Sequence, residues 1–136
     1  MIEKAHTASD MIAGMTPVLL DDVFVFATVS EPVDLALFNG AQATYREAEG
    51  MSLILPVATA QAHGILIDSE MRCITLNVYS SLEGVGLTAA VAQALADHGI
   101  ACNMVAAYHH DHAFVPASEA GRALGILQAL QTSAST

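Results

Sequence analysis

Positive charge is scarce in this chain of 136 residues. Lysine and arginine together number four, whereas aspartate and glutamate number fourteen, which gives a formal net charge of −10. Proteins that bind phosphate backbones or anionic lipids do so through clustered Lys and Arg side chains, which displace the counterions of the phosphates. Nucleic acid and anionic membranes are therefore poor partners for this chain.

Cysteine and long apolar runs are also scarce. The two cysteines, Cys73 and Cys102, are too few for a disulfide scaffold and form no CxxC pair, so we expect two buried thiols. Residues 1–6 lack the basic and apolar regions of a signal peptide, and no apolar run reaches the roughly 18 residues of a membrane-spanning helix. We therefore expect a cytoplasmic protein that does not enter the membrane.

Apolar residues, in contrast, are abundant. Hydrophobic residues make up 54% of the chain and charged residues only 13%, so there is too little charge to cover the surface that remains after folding. A chain of this length buries roughly 65–70% of its unfolded surface in one core, or in two small units that share a core. Some apolar surface should face a partner, and we expect a homodimer with an interface of at least about 1,000 Å² in total.

The second half of the chain has the order β-α-β-β-α. Its predicted elements are a strand at 72–79, a helix that ends at Gly99, strands at 101–108 and 112–116, and a helix capped by Ser118. Two parallel strands that are joined by a helix, with a hairpin strand between them, form the ferredoxin-like arrangement. The returning hairpin strand should then separate Cys73 from Cys102 by two strand spacings, roughly 9–10 Å, which is too far for a disulfide.

The first half repeats this order imperfectly. Its predicted elements are a short helix around Met11 and Met15, a strand at 23–29, a hairpin at 44–55 and a short helix at 56–63. Residues 31–40 contain proline and glycine and are predicted to form a loop where the repeat should have its first helix. The leading helix, which Pro17 ends, is expected to be a lid or an edge cover. We predict a degenerate internal duplication, with repeats at 1–66 and 67–136.

Three segments carry a family resemblance: YREAEG at 45–50, ITLNVYSSLEGVGLTAA at 74–90 and CNMVAAYHHDH at 102–112. They resemble signatures of a family of uncharacterised bacterial ACT-domain proteins with two ACT-like repeats, and the resemblance extends over nearly the whole chain. It implies an α+β fold of two ferredoxin-like βαββαβ repeats, the first of them degenerate, with antiparallel sheets and helices on one face. ACT domains elsewhere, as in the regulatory parts of aspartate kinases, bind amino acids between repeats and pair into side-by-side sheets. The resemblance therefore implies a regulatory or sensor role.

The segment that begins at Gly84-Val85-Gly86 matches the dinucleotide-binding pattern GxGxx(G/A). Ser80 and Glu83 have the spacing of a capping box, so the helix is expected to follow the strand at once and to contain both glycines in its first turns. A dinucleotide site needs the glycines in a tight turn before the helix, and it also needs a second βαβ half. The sequence therefore predicts no nucleotide cofactor.

The same segment is the predicted ligand site. A helix N-terminus offers backbone N–H groups and the positive end of the helix dipole, and glycines leave room for a ligand to approach. We expect it to receive the carboxylate of a small metabolite such as an amino acid, whose amino group Asn103 holds. The candidate ligand-binding residues are Ser80, Ser81, Leu82, Gly84, Gly86 and Asn103. The alternative is that the glycines serve only close packing.

Histidine and aspartate are concentrated at His109-His110-Asp111-His112. Imidazole and carboxylate groups are common zinc ligands. Neighbouring side chains on an extended hairpin point to opposite faces, however, so His110 and His112 share one face and leave at most two ligands per face. We assign no metal site, and His110 and His112 are the remaining candidates for one.

No catalytic residue is assigned. Ser80, Ser81 and the two cysteines could each be paired with a distant histidine, but no GxSxG elbow or Cys–His signature frames them. We expect a regulatory protein that binds a small molecule and has neither enzymatic activity nor a cofactor. The alternatives are a metal-binding protein or metal-dependent hydrolase that uses the turn at His109–His112, and a structural dimer without a ligand.

Overall fold

The computed structural model describes residues 7–78 and 84–135. Its elements, in chain order, are α1 Ala8–Gly14, β1 Pro17–Val29, α2 Leu35–Gly40, β2 Ala43–Glu47, β3 Gly50–Pro56, α3 Val57–Ala62, β4 Met71–Leu76, α4 Leu87–Ala96, β5 Asn103–Ala106, β6 Asp111–Pro116 and α5 Ala120–Ser135. They form two compact units. The terminal unit comprises Met1–Leu20 and Arg72–Thr136, and the central unit comprises Asp21–Met71.

The sheet of the terminal unit has the order β1-β4-β6-β5, to which β1 contributes its first residues. As predicted, β6 lies between β4 and β5, and Cys73 and Cys102 are both free thiols. The start of β1 takes the place beside β4 that the fourth strand of a ferredoxin-like unit occupies. Arg72 of β4 is hydrogen-bonded to β1, because its Nε and Nη2 atoms donate to the Leu20 carbonyl oxygen at 3.1 and 2.6 Å.

Three helices, α1, α4 and α5, cover one face of this sheet. Their apolar side chains meet those of the strands in a core that includes Leu87, Val91, Leu95, Ala123 and Leu127 from the helices and Ile74, Leu76, Ala113 and Val115 from the sheet. Met11 of α1 and Met15, the residue that follows it as the C-cap, belong to the same core and are 1% and 0% exposed. The leading helix is therefore a third core helix rather than the expected lid or edge cover.

The central unit keeps the complete order β-α-β-β-α. Its strands are ordered β2-β3-β1 and are antiparallel, with Val25 opposite Leu55 and Thr44 opposite Leu53. One face of the sheet packs against α2 and α3 through a core of Val25, Leu37, Met51, Leu53, Leu55 and Ala60.

The prediction of a loop at 31–40 is wrong, because residues 35–40 form helix α2. The Asp34 carboxylate accepts hydrogen bonds from the backbone N–H groups of Ala36 and Leu37 and so caps the helix. Leu37, which is 5% exposed, anchors the helix in the core. The first repeat therefore has a short first helix rather than none.

The compact units divide the chain differently from the predicted repeats at 1–66 and 67–136. Strand β1 begins at Pro17, earlier than the predicted start at residue 23, and passes from the terminal to the central unit between Leu20 and Asp21. Proline is acceptable there because the first residue of a strand need not donate to the ladder. The repeat boundaries at 1–66 and 67–136 remain a prediction.

Candidate functional site

Helix α4 begins at Leu87, and Gly86 is its N-cap residue with φ of 110°. This left-handed conformation is easily adopted only by glycine, so Gly86 determines where the helix starts. The two glycines were expected in the first turns of this helix, which is wrong, because both precede it. Ser80 and Glu83 of the predicted capping box lie outside the described residues. Residues 77–86 separate β4 from α4, a longer connection than the tight turn of a dinucleotide site.

The space above Gly86 is taken by α1. A Cβ atom at residue 86 would lie 2.7 Å from the Cβ atom of Ala8, so the missing side chain lets the two helices approach each other. At the other end of α1, a Cβ atom on Gly14 would lie 3.4 Å from Cγ2 of Val78. Helix α1 thus contacts residues at both ends of the connection between β4 and α4, and close packing explains why residue 86 is glycine.

The other predicted ligand residues are dispersed. Ser80, Ser81 and Leu82 lie outside the described residues, and Gly84 is half-buried ahead of the helix. Asn103 is the exposed first residue of β5 and is paired with Phe114.

Asn103 lies at the far end of the sheet from this connection. The side chains of Thr75 and His112 meet, so the end of β4 lies beside the start of β6, where Ala106 is opposite Asp111. Asn103 is separated from Ala106 by the length of β5, about 10 Å. A strand that follows a crossover helix starts at the opposite end of the sheet, which is why the structure does not bring Asn103 to the end of β4.

Two histidines connect β6 and the turn before it to the end of β4. His112 Nδ1 lies 3.0 Å from Thr75 Oγ1, which in turn lies 4.0 Å from Cys73 Sγ. His110 Nδ1 lies 3.4 Å from the carbonyl oxygen of Val78. Thr75 is only 7% exposed, and it is the one buried polar residue in the described part of the chain. The side chains on the sheet face opposite the helices are those of Cys73, Thr75, His112 and Phe114. The residues that alternate with them along β4 and β6 lie in the helix-covered core.

Burial dominates the electrostatics of this group. It lowers the pKa of His112, as does the nearby His110, whereas the Asp111 carboxylate opposes the shift. Burial raises the pKa of Asp111 against the opposing effect of the two histidines. It also raises the pKa of Cys73, a shift that the hydrogen bond from Thr75 partly offsets. His112 is therefore neutral at physiological pH and Cys73 is a thiol, which is a poor nucleophile.

Burial also raises the pKa of the Cys102 thiol. Cys73 is buried as predicted, and Cys102 is partly buried. The described residues contain no group of three or more His, Cys, Asp and Glu side chains that could hold a metal ion. His110 and His112 direct their Nδ1 atoms to Val78 and Thr75.

Each arginine is engaged within the chain. Arg46 pairs with Glu31 at 3.3 Å, and Arg122 pairs with Glu119 at 2.9 Å while also donating to the His98 carbonyl oxygen at 2.7 Å. Arg72 is bound to β1, as described above. Among residues 7–78 and 84–135, every guanidinium group thus has an internal acceptor, and a bound anion would have to rely on backbone N–H groups.

Strand order and helix placement define a ferredoxin-like α+β protein with two units. Models of the ACT domain match the chain twice in tandem, at residues 7–73 and 68–129. The chain belongs to the ACT-domain family, which confirms the predicted fold and family. ACT domains are regulatory modules, and this is a protein of the regulatory class.

Solved structures show the same architecture. A protein of unknown function from Vibrio cholerae, described as a possible transport protein, is 43% identical with a TM-score of 0.79; the match covers 88% of this chain and 92% of that one. A protein from Agrobacterium tumefaciens is 16% identical with a TM-score of 0.72, over 85% and 87% of the two chains. The regulatory subunit of aspartate kinase from Thermus flavus is 12% identical with a TM-score of 0.61, over 84% and 95%. The last two likenesses concern the fold alone.

No functionally curated relative matches the chain. In the described part of the chain, none of the helices is long and apolar enough to cross a membrane.

Proposed function

We propose that this chain is a non-catalytic ACT-type sensor that binds a small carboxylate metabolite, specifically an amino acid. The observation that carries the proposal is the presence of two ACT units that together account for almost the whole chain. The fold likeness to the regulatory subunit of aspartate kinase supports a role in which ligand binding is the input. Together, the two ACT units leave too few of these 136 residues for an added catalytic domain.

Charge favours a zwitterion over an anion as the ligand. The formal net charge of −10 repels anions, and the described arginines are already paired or hydrogen-bonded within the chain. A zwitterionic amino acid has no net charge, so this repulsion largely cancels. Its single carboxylate can be bound by backbone N–H groups at a helix N-terminus, without an arginine.

The proposed location is the N-terminus of α4 and the residues that lead into it. Gly86 has no side chain to cap the first turn, and α4 is long enough to present the positive end of a helix dipole. The proposal retains Ser80, Ser81, Leu82 and Gly84 as ligand residues. It retains Gly86 only through its backbone N–H group, because Ala8 occupies the space where a side chain of residue 86 would lie. It leaves out Asn103, because that residue lies at the other end of the sheet.

A carboxylate built into the first turn of α4 should compete with the ligand. Thr88 is exposed in this turn, and Thr88→Asp places a negative charge where it stabilises the helix. We expect the variant to fold at least as well as the wild type and to bind the amino acid at least about tenfold more weakly, a loss of about 1.4 kcal/mol. Thermal unfolding with a panel of amino acids measures both, since a ligand at 100 times its Kd adds about 2.7 kcal/mol of stability.

The matched control is Gly121→Asp. It adds the same charge in the first turn of α5, where a Cβ atom would meet nothing within 4 Å. This variant should respond to the amino acid as the wild type does. Equal binding by Thr88→Asp would place the site elsewhere, whereas a wild type that responds to no amino acid would refute the function itself and favour the structural dimer.

We also propose that the chain works as a homodimer. Several large apolar side chains are exposed on the described surface, among them Leu35, Tyr45, Leu66, Val85 and Tyr108. A dimer would cover part of this surface, and a stable one should bury at least about 1,000 Å² in total. Multi-angle light scattering at micromolar concentration should give twice the chain mass of 14.2 kDa. A monomer under these conditions would contradict the proposal.

A further inference from the structure

The hydrogen bond between His112 and Thr75 links the start of β6 to the end of β4. It is formed on a sheet face where the neighbouring Cys73 and Phe114 are 1% and 2% exposed. This bond joins residues 37 positions apart in the chain, immediately before the connection that leads from β4 to α4.

The two histidines of this region respond differently to a proton. His110 faces a carbonyl oxygen, so its Nδ1 must donate, and it can still donate when the ring is charged. His112 faces a hydroxyl group, which can donate to Nδ1 when the ring is neutral. A second proton on His112 would force the Thr75 hydroxyl group to accept and would bring a positive charge onto an apolar face.

We propose that His112 and Thr75 form an acid-sensitive clasp, which holds the end of β4 against β6 and loosens when the imidazole takes up a proton. The charged ring is better solvated in water than beside Cys73 and Phe114, so protonation favours a rotamer that leaves Thr75. The clasp does not depend on a ligand, and it acts on the last residues of β4.

The charges around the clasp support this direction. On its own hairpin, His112 is close to His110, whose charge lowers the pKa of His112, and to Asp111, whose charge raises it but less than burial and His110 lower it. Tyr108 and His109 lie at the tip of the same hairpin. On β4 the titratable neighbours are Arg72 and Cys73, and β5 contributes none between Asn103 and Ala106.

The sign of the pH dependence follows from the lowered pKa of His112. Below about pH 6.5, the unfolded chain binds a proton at this histidine more readily than the folded chain does. The stabilising effect of neutral His112 is therefore complete above this pH and decreases as the pH falls towards the lower folded-state pKa. Above the unfolded pKa, the clasp stays closed.

A pH titration of the full chain by two-dimensional NMR, without ligand, tests the clasp. We expect the backbone amides of Thr75 and of Leu76, the last residue of β4, to shift together with the His112 ring, in one transition with a midpoint below about 6.5. In His112→Asn this transition should be lost at both amides. The Asn carboxamide oxygen can accept from Thr75 as Nδ1 does, but it does not titrate. His98→Asn is the control, because His98 contacts the Ala94 carbonyl oxygen at the end of α4.

A second variant keeps the inference testable if His112→Asn folds poorly. Thr75→Val removes the hydroxyl group and leaves the histidine, so His112 should still titrate while the amides of residue 75 and Leu76 no longer follow the ring. The clasp is refuted if the Thr75 and Leu76 amides still titrate in His112→Asn, or if they remain unchanged while His112 titrates in the wild type.

Discussion

Replacing Gly86 with alanine is expected to lower the free energy of unfolding by roughly 2–4 kcal/mol. Two costs add up at this position. An L-residue must adopt the φ of 110° that starts α4, and its Cβ atom would lie only 2.7 Å from the Cβ atom of Ala8. Urea denaturation of the purified variant and wild type measures the difference.

Gly99→Ala is the matched control for the backbone cost alone. Gly99 has φ of 71°, and a Cβ atom there would meet nothing within 4 Å, so we expect a loss of about 1–2 kcal/mol. Adding Ala8→Gly to Gly86→Ala should recover part of the difference, because it removes the opposing Cβ atom. If Gly86→Ala were no more destabilising than Gly99→Ala, the close approach of α1 to α4 would be wrong.

This result also decides how the ligand site can be tested. A larger residue such as valine at position 86 would destabilise the protein through packing, whether or not a ligand binds there. Loss of binding in such a variant would therefore carry no information about a pocket. Thr88→Asp avoids the problem, since its side chain is added on the exposed side of the same helix turn.

Met15→Ala is expected to lower the free energy of unfolding by about 2–5 kcal/mol. Met15 is fully buried, and together with Met11 it anchors α1 in the core of the terminal unit. Its removal leaves a cavity among helices that cannot all close around it. Met104→Ala on β5 is the control, because Met104 is only partly buried at the margin of this core and should cost clearly less. A loss below about 1 kcal/mol for Met15→Ala would mean that α1 is a peripheral cover after all.

Periodic elements could be predicted from the sequence because their patterns are local. The alternation in β4, the Leu87–Val91–Leu95 spacing in α4 and the hairpin of β5 and β6 all occur where they were expected. The order of these elements was enough to predict that β6 separates the two cysteines. Helix α2 was missed because it is only six residues long and lies among residues that usually indicate loops.

The start of α4 could not be located in this way. Ser80 and Glu83 match a capping pattern, yet the helix begins at Leu87, where packing against α1 permits only glycine at residue 86. No local signal in the sequence records that contact, because α1 is distant in the chain. A glycine shortly before an apolar helical pattern is the only hint.

The contact between His112 and Thr75 could not be predicted from the sequence either. The sequence singled out His112 only as a candidate metal ligand and did not single out Thr75, because their bond depends on the register of β6 against β4. Asn103 shows the converse error. Its strand was correctly expected to run parallel to β4, but a parallel strand begins at the opposite end of the sheet, so its first residue cannot reach the connection that follows β4.

Isothermal titration calorimetry of the wild-type protein with each of the common amino acids measures the proposed binding without any substitution in the chain. We expect a saturable signal for at least one of them, with a Kd of about 1 mM or tighter, and a preference for zwitterions without net charge. Binding that is weaker than this for every amino acid would contradict the proposal.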